Sequence, residues 1–358
     1  MDYDQSQDPE PRESMATPPE TTVGGAMDAG KQPGKGSGWR IFWGIVIALS
    51  VIANVILFFI VIAMVSVIIS GPGELFDSRD GFTEEVLVKG PASKKIAVLR
   101  LEGIIDSAQS QKFRKQLKAA KADKNVKAVI IRTVTPGGTV AASDRIHNEI
   151  MKFRKETNKP VVAFMQTIAA SGGYYTSVAC DKIIAEPTVI TGSIGVIMNT
   201  IVIKELLEEK LGIHTVVIKS GPKKDWPSIF SETTEEQKKY LMAKLIKPAY
   251  NRFVTLVAEG RKELSIDEVK ELADGSIYGA EEAQAEKLID EVGYFEDAVK
   301  LTEKLAGIKG ARVVEYNRLF SLSTLFGAKA KTKLWEIDHN TLHELMVPQL
   351  MYLWNASW

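Results

Sequence analysis

The chain has 358 residues, and its 45 basic and 45 acidic side chains give no net charge. This length fits one large domain or two smaller ones, and the neutral charge gives no reason to expect nucleic acid as a partner. The single cysteine, Cys180, excludes an intrachain disulfide and a cysteine-rich metal site.

The first 70 residues divide into a polar tail and a long apolar span. Residues 1–38 are rich in Pro, Gly, Ser and Thr and lack the apolar surface that offsets ordering entropy, so we predict a disordered tail. Residues 39–70 carry one charge, Arg40, near their start and are otherwise long and apolar enough to cross a bilayer. The alternative, a cleavable signal peptide, is disfavoured because its apolar core would be shorter and nearer the N-terminus.

Charge is unevenly distributed on the two sides of this span. Lys31 and Lys35 precede it, whereas Glu74, Asp77 and Asp80 follow it. Because basic residues accumulate on the cytoplasmic side, the sequence predicts a single-pass protein of the inner (plasma) membrane. Its N-terminus is expected in the cytoplasm and its larger part outside.

The remainder is predicted to be an α/β domain. After a linker over 71–93, short apolar strands alternate with helices of 3.6-residue periodicity, a pattern typical of parallel βαβ units. We place this domain at 94–305 and a C-terminal extension at 306–358. The predicted strands are Ile96–Leu101, Val126–Ile131, Pro160–Met165, Ile183–Ala185 and Val216–Ile218, and the predicted helices include Ser110–Ala122, Val140–Arg154, Lys204–Leu211 and 234–261.

Three glycine-rich turns follow strands: Thr135–Gly138, Ala169–Tyr175 and Thr191–Val196. In a parallel sheet such turns gather at the carboxyl edge, where ligands bind. Ser171 lies between a strand and a helix start, followed by two glycines, which suits an exposed nucleophile. A simple N-cap serine would have the same spacing, so the spacing alone does not decide.

A nucleophilic serine needs a general base, and the histidines offer no clear candidate. His147 lies on a helix interpreted as solvent-facing, and His214 begins a predicted strand; neither has a carboxylate partner in the sequence. His339 and His343 are best explained as a solvated helix face. The segment Lys219–Asp225 contains three lysines, any of which could act as a base if held neutral.

The region from Lys95 to about Gly293 resembles the signal peptide peptidase A family, the Ser/Lys proteases of the Clp-protease/crotonase superfamily. The resemblance implies repeated ββα units around a parallel sheet, with a transmembrane helix before them. The strings that carry it are Thr135–Gly138, Ala170–Tyr175, Thr191–Val196, Lys219–Asp225, Ala273–Gly275 and Leu288–Asp290.

The resemblance assigns a catalytic dyad. Ser171 matches the nucleophile and Lys224 the general base, with Lys223 as the alternative if the register slips by one. Ser193 matches a serine that hydrogen-bonds the lysine. A Ser/Lys hydrolase of this kind implies no cofactor and no metal.

The resemblance also assigns the oxyanion hole to the backbone N–H groups of Gly138 and Gly172. Some positions depart from the family pattern. Gln166 replaces a small residue before the nucleophile, and Lys287 stands where the family frequently has glycine. Neither change removes a catalytic group.

The function implied is hydrolysis of peptide bonds in cleaved signal peptides and other unfolded apolar peptides. A ring-like homo-oligomer is expected, with the serine and lysine of one site supplied by neighbouring subunits. Two alternatives remain at this point: a proteolytically inactive membrane scaffold, and an acyl-CoA-binding enzyme of the crotonase type. The apolar residues 345–354 are expected to pack on the domain or a neighbouring subunit, or else to dock near the substrate groove or the membrane face and limit access.

Overall fold

The computed structural model describes residues 37–70, 82–318 and 349–354. The chain separates into two compact units, with the boundary after Ile69. The first contains helix α1, Ser37–Ser70, within which Gly38–Ala63 is long and apolar enough to cross a membrane. This helix fits a membrane-anchored protein. Nearly all of the predicted disordered tail lies outside the described residues.

The second unit is a mixed α/β domain. Its helices are α2 (Ser107–Ala122), α3 (Val140–Thr157), α4 (Gly172–Ser177), α5 (Glu235–Leu241), α6 (Lys247–Gly260), α7 (Ile266–Leu272), α8 (Ala280–Ala285) and α9 (Phe295–Ala306). Short π-helical stretches cover Leu206–Lys210 and Met242–Ile246. The second connects α5 to α6 without a break, so the three together form the long helix predicted at 234–261.

The strands form two sheets. They are β1 (Phe82–Val88), β2 (Lys95–Glu102), β3 (Val126–Thr135), β4 (Gly137–Thr139), β5 (Val161–Ala170), β6 (Lys182–Ala185), β7 (Ile190–Gly192), β8 (Ile197–Met198), β9 (Ile277–Gly279), β10 (Glu291–Val292), β11 (Arg312–Arg318) and β12 (Leu350–Leu353). The larger sheet has the order β1-β11-β2-β3-β5-β6-β10, and β7 pairs with the carboxyl half of β5 and with β9. Its central pairings are parallel, which confirms the predicted fold class.

The sheet is covered on both faces, which explains why its central strands are nearly continuous apolar runs. Leu99 and Ile131 face the cluster that α2, α3, α4 and α6 complete. Val98, Ile130 and Phe164 face the opposite cluster, which α9 completes. Helices on both faces leave the carboxyl edge of the parallel strands as the open edge, and the glycine-rich turns lie there.

Two predicted boundaries need correction. The predicted linker 71–93 contains β1, which adds to the sheet edge by pairing with β11, more than two hundred residues later. The predicted strand Val216–Ile218 is an extended segment without strand pairing, and both end residues are highly exposed, at 85% and 96%. An apolar run predicts a strand from its own residues, but a strand forms only where a partner edge is available.

Candidate active site

Ser171 lies where β5 ends and α4 begins, in a backbone conformation that side chains rarely adopt. Its φ is 51° and its ψ is −109°, and the residue is buried. Strained geometry of this kind costs on the order of 1–3 kcal/mol and persists only where neighbours fix it. Here the Ser171 N–H donates to the Gly192 carbonyl at 2.8 Å, and its carbonyl accepts from Tyr175 N–H at 2.8 Å. The Ser171 side chain makes no hydrogen bond to the first backbone N–H groups of α4. The structure therefore does not use this serine as a helix-capping side chain.

The first glycine turn lies directly against the second. A Cβ on Gly172 would come within 3.1 Å of both Gly138 N and Gly137 Cα, and within 2.6 Å of Ser143 Oγ. Gly137 has a φ of 109°, and its N–H donates to Thr135 Oγ1 at 3.0 Å. The absence of side chains at these glycines therefore lets the backbone of Gly138 reach the turn that contains Ser171.

The third turn completes the same edge. Gly192 pairs in register with Ala170, the residue before Ser171. Ser193 follows with a φ of 48°, is buried, and donates its N–H to the Ser276 carbonyl at 2.7 Å. The structure thus brings Ser171, Gly138 and Ser193 together, as the turn positions predict.

No hydrogen bond or ion pair in the described residues joins the Lys224 side chain to this cluster. Lys224 is exposed, and no side-chain hydrogen bond joins Ser171 to any residue in the described ranges. Lys223 lies over the rings of Trp226 and Tyr240, at 5.2 and 4.6 Å from their centroids. Within the described residues, Ser171 and the glycine turns lie at one edge of the sheet, and no hydrogen bond joins Ser171 to a lysine side chain.

The groove beside the glycine turn is filled by β12. This strand runs antiparallel between β4 and β8, with Tyr352 opposite Gly138 and Leu353 opposite Gly137. The Trp354 N–H donates to the Pro136 carbonyl at 2.9 Å. Because hydrogen-bonded pairs alternate along an antiparallel ladder, the next such pair joins Tyr352 and Gly138. The carbonyl of Tyr352 therefore lies at the N–H of Gly138.

The Tyr352 side chain is fully buried in an aromatic pocket. Its ring stacks on Tyr175 at 4.7 Å and packs on Phe253 at 4.8 Å, while its hydroxyl donates to the Ala249 carbonyl at 2.8 Å. Residues 350–353 of the apolar tail therefore dock in the groove beside β4, as one of the two expected placements predicts. Residues 345–348 and 355–358 lie outside the described residues.

Tyr175 forms the wall of this pocket, and its orientation is fixed. Its hydroxyl donates to Asp144 Oδ1 at 2.6 Å, and Arg252 also donates to Asp144. Burial, and next the hydrogen bond to Asp144, raise the pKa of Tyr175. The sequence does not reveal Phe253 and Asp144, because their positions beside Tyr175 depend on long-range packing. The aromatic pair that follows Gly173 is the sequence signal for Tyr175.

His147 is buried, which corrects its assignment to a solvent-facing helix side. It lies edge-on to the Tyr175 ring at 5.5 Å. Burial lowers the pKa of His147 to about 4, with Arg252 and Arg154 acting in the same direction and Asp144 against them. His147 is therefore neutral at physiological pH and packs as a core residue behind the substrate pocket.

Within 37–70, 82–318 and 349–354 there is no group of three or more His, Cys, Asp or Glu side chains that could hold a metal ion. His339 and His343 lie outside these ranges. Cys180 is buried, and burial raises the pKa of its thiol, which opposes formation of a reactive thiolate.

The chain is similar in sequence to a family of peptidases and to several of its members. Residues 153–309 match the profile of peptidase family S49. A putative signal peptide peptidase SppA of Enterococcus faecium is 36% identical over 290 residues, which cover 75% of this chain and 83% of that protein. Protease 4 of Salmonella typhi is 36% identical over 54% of this chain and 31% of its own length. The chloroplastic serine protease SPPA of Arabidopsis thaliana is 33% identical over 64% of this chain and 33% of its own length.

Among solved structures, a mutant of the 1510-N membrane-bound stomatin-specific protease matches over 59% of this chain and 85% of that one. The two share 20% sequence identity, with a TM-score of 0.40.

The burial of His147 generates a prediction about acid stability. An unfolded histidine has a pKa near 6.5, so between pH 6.5 and 4 the unfolded chain takes up a proton that the folded chain excludes. The free energy of unfolding should therefore fall by up to about 3 kcal/mol across this window. His147→Phe should flatten this part of the profile, measured by urea unfolding of the full chain in detergent.

The matched control is His214→Phe, since His214 is exposed and should leave the wild-type slope unchanged. An identical pH slope in wild type and His147→Phe would contradict the buried neutral state.

Proposed function

This chain belongs to peptidase family S49, that of signal peptide peptidase A, and is a serine peptidase; we propose that it is a membrane-bound endopeptidase that uses a dyad of Ser171 and Lys224. The observation that carries this proposal is the strained Ser171 turn in contact with Gly138, whose N–H faces a bound extended strand. The anchor is α1.

In the proposed reaction, Ser171 Oγ attacks the carbonyl carbon of a peptide bond, and neutral Lys224 Nζ accepts the hydroxyl proton. The N–H groups of Gly138 and Gly172 stabilise the resulting oxyanion. The protonated lysine then gives the proton to the leaving amine, which leaves an acyl ester on Ser171. Water, deprotonated by the same lysine, hydrolyses the ester and regenerates the serine. Ser193 Oγ, at the same edge, orients the lysine.

The dyad is proposed to form between two copies of the chain. Lys224 is exposed, and the segment before it presents apolar side chains to solvent: Ile201 at 69%, Val216 at 85% and Ile218 at 96% exposure. Apolar surface of this extent is typical of protein interfaces. A homo-oligomer would bury it and bring the lysine of one subunit to the serine of the next.

Mixing two inactive variants tests this arrangement. Ser171→Ala and Lys224→Ala should each lose at least about 1,000-fold in kcat, because each removes a group that acts in the transition state. Oligomers assembled from both variants should regain a fraction of wild-type activity, since some sites combine an intact serine with an intact lysine. Cleavage of an unfolded apolar peptide is the measurement.

Lys223→Ala is the matched control and should remain active, because Lys223 lies over aromatic rings. Activity in Lys224→Ala together with inactivity in Lys223→Ala would move the base by one residue. Absence of recovery in verified mixed oligomers would show that each chain completes its own site.

The substrate is proposed to bind as β12 does, as a strand between β4 and β8. Main-chain pairing suits an unfolded peptide of varied sequence, while the pocket of Tyr175 and Phe253 selects an apolar or aromatic side chain. Remnants of cleaved signal peptides are apolar, unfolded and close to the bilayer, and we propose them as the physiological substrate class. On this basis β12 limits access to the groove.

Removing the strand tests its role. Deletion of residues 345–358 should raise kcat/KM for an added apolar peptide several-fold, because the peptide no longer competes with β12. Tyr352→Ala should act in the same direction by removing the buried ring, while Met351→Ala, whose side chain is only partly buried, should have little effect. Loss of folding or of the oligomer in the deletion variant would show instead that the strand is structural.

The proposed topology places residues 1–38 in the cytoplasm and the catalytic unit outside the inner membrane, because basic residues precede the span and acidic residues follow it. Protease added to intact spheroplasts should degrade the catalytic unit and leave a tag at the N-terminus intact. The reverse pattern would show that the protein has the opposite orientation.

A further inference from the structure

Positive charge is concentrated in one continuous part of this neutral chain. Residues 107–159, which span α2 to the end of α3, contain 13 Lys and Arg side chains against four Asp and Glu. The rest of the chain carries the balancing negative charge. Helix α2 has five basic residues and no acidic residue. An excess of nine charges within 53 residues indicates a surface for an anionic partner.

The basic side chains share one outer face, which we call the α2–α3 face. Phe113 and Leu117 bury the other side of α2, and Ile146 and Phe153 do the same for α3. Between the helices lies a groove of about 460 Å³. The exposed basic residues that line this groove are Arg114, Lys115, Lys118, Lys121 and Lys152. Further exposed basic residues in the same stretch of chain are Lys124, Lys127, Arg145 and Lys155.

The few acidic side chains nearby do not balance this charge. Glu156 pairs with Lys121 at 2.6 Å, and Glu149 is the other carboxylate that lines the groove. Three exposed lysines on other helices of the domain pair with an acidic residue three positions away: Lys238 with Glu235, Lys270 with Asp267 and Lys300 with Asp297. Helix α2 contains no acidic residue, so pairs of this kind do not form within it and its net charge stays positive.

We propose that the α2–α3 face docks on the anionic headgroups of a phospholipid bilayer. Phosphate groups complement clustered lysines and arginines, and attraction of this kind acts within a Debye length of the surface. Only residues 71–81 separate the end of α1 from β1, and a fully extended segment of that length spans about 40 Å. The bilayer that holds the anchor is therefore always within reach of the domain.

Docking by this face leaves the active site accessible. Ser107 and Val140, at the N-terminal ends of α2 and α3, line the cavity beside Tyr352, whereas Lys118 and Lys152 line the groove between the helices. The two cavities have no lining residue in common. A second copy is a poorer occupant, because two α2–α3 faces would repel each other.

Lysine acetylation of the full chain in proteoliposomes tests the proposal. In vesicles containing phosphatidylglycerol, Lys115, Lys118 and Lys152 should react at least about 5-fold more slowly than in phosphatidylcholine alone, and high salt should reverse the protection. Lys238 and Lys270 are internal controls on other helices and should react equally in both lipids. Equal rates for the α2–α3 lysines, or protection that persists in phosphatidylcholine as expected for a protein contact, would overturn the proposal.

A charge-neutralising variant provides the second measurement. Lys115→Gln, Lys118→Gln and Lys152→Gln combined should remove the lipid-dependent protection of Lys124. The matched control combines Lys238→Gln, Lys270→Gln and Lys300→Gln, which changes the net charge equally on other helices and should leave that protection intact. Protection of Lys124 that falls equally in both variants would show an effect of net charge rather than of this face.

Discussion

The backbones of Gly137 and Gly172 approach so closely that neither position has room for a side chain. This contact fixes the distance between the turn that ends β3 and the turn that begins α4. The positive φ of Ser171 can be maintained because the carbonyl of Gly192 holds its N–H from the other side. Three separate strand ends are thus held to one another, and the positions of Ser171, of the Gly138 and Gly172 backbones and of the groove that β12 fills all depend on that contact.

The sequence predicts most of the sheet because its central strands are buried on both faces and appear as apolar runs bounded by turns. β1 was not found, because its register with β11 depends on residues far apart in sequence. The segment Val216–Ile218 is the opposite case. Its apolar side chains predict a strand, yet no strand among the described residues pairs with it. Lys287 is informative in another way, since its φ of 59° explains why glycine is frequent there in the family.

The site was predictable where a local turn determines it and not where side chains meet across the fold. Ser171, Gly138 and Ser193 follow from glycine turns at strand ends, which the parallel sheet must bring to one edge. The aromatic pocket was not predictable, because Tyr175, Phe253 and Tyr352 come from three distant segments. The burial of His147 was missed because its sequence neighbours Asn148 and Glu149 are polar, while the helix turns His147 itself toward Tyr175.

The strand β12 also has a consequence for concentration. It is part of the same chain as the groove, joined through residues 319–349 to β11, so its effective concentration at the groove is on the order of millimolar. A peptide far below that concentration in bulk solution competes poorly against a tethered strand of similar intrinsic affinity. A peptide held in the same bilayer is itself confined to a small volume and competes on equal terms. Selection between the two then depends on where a peptide is located as much as on its side chains.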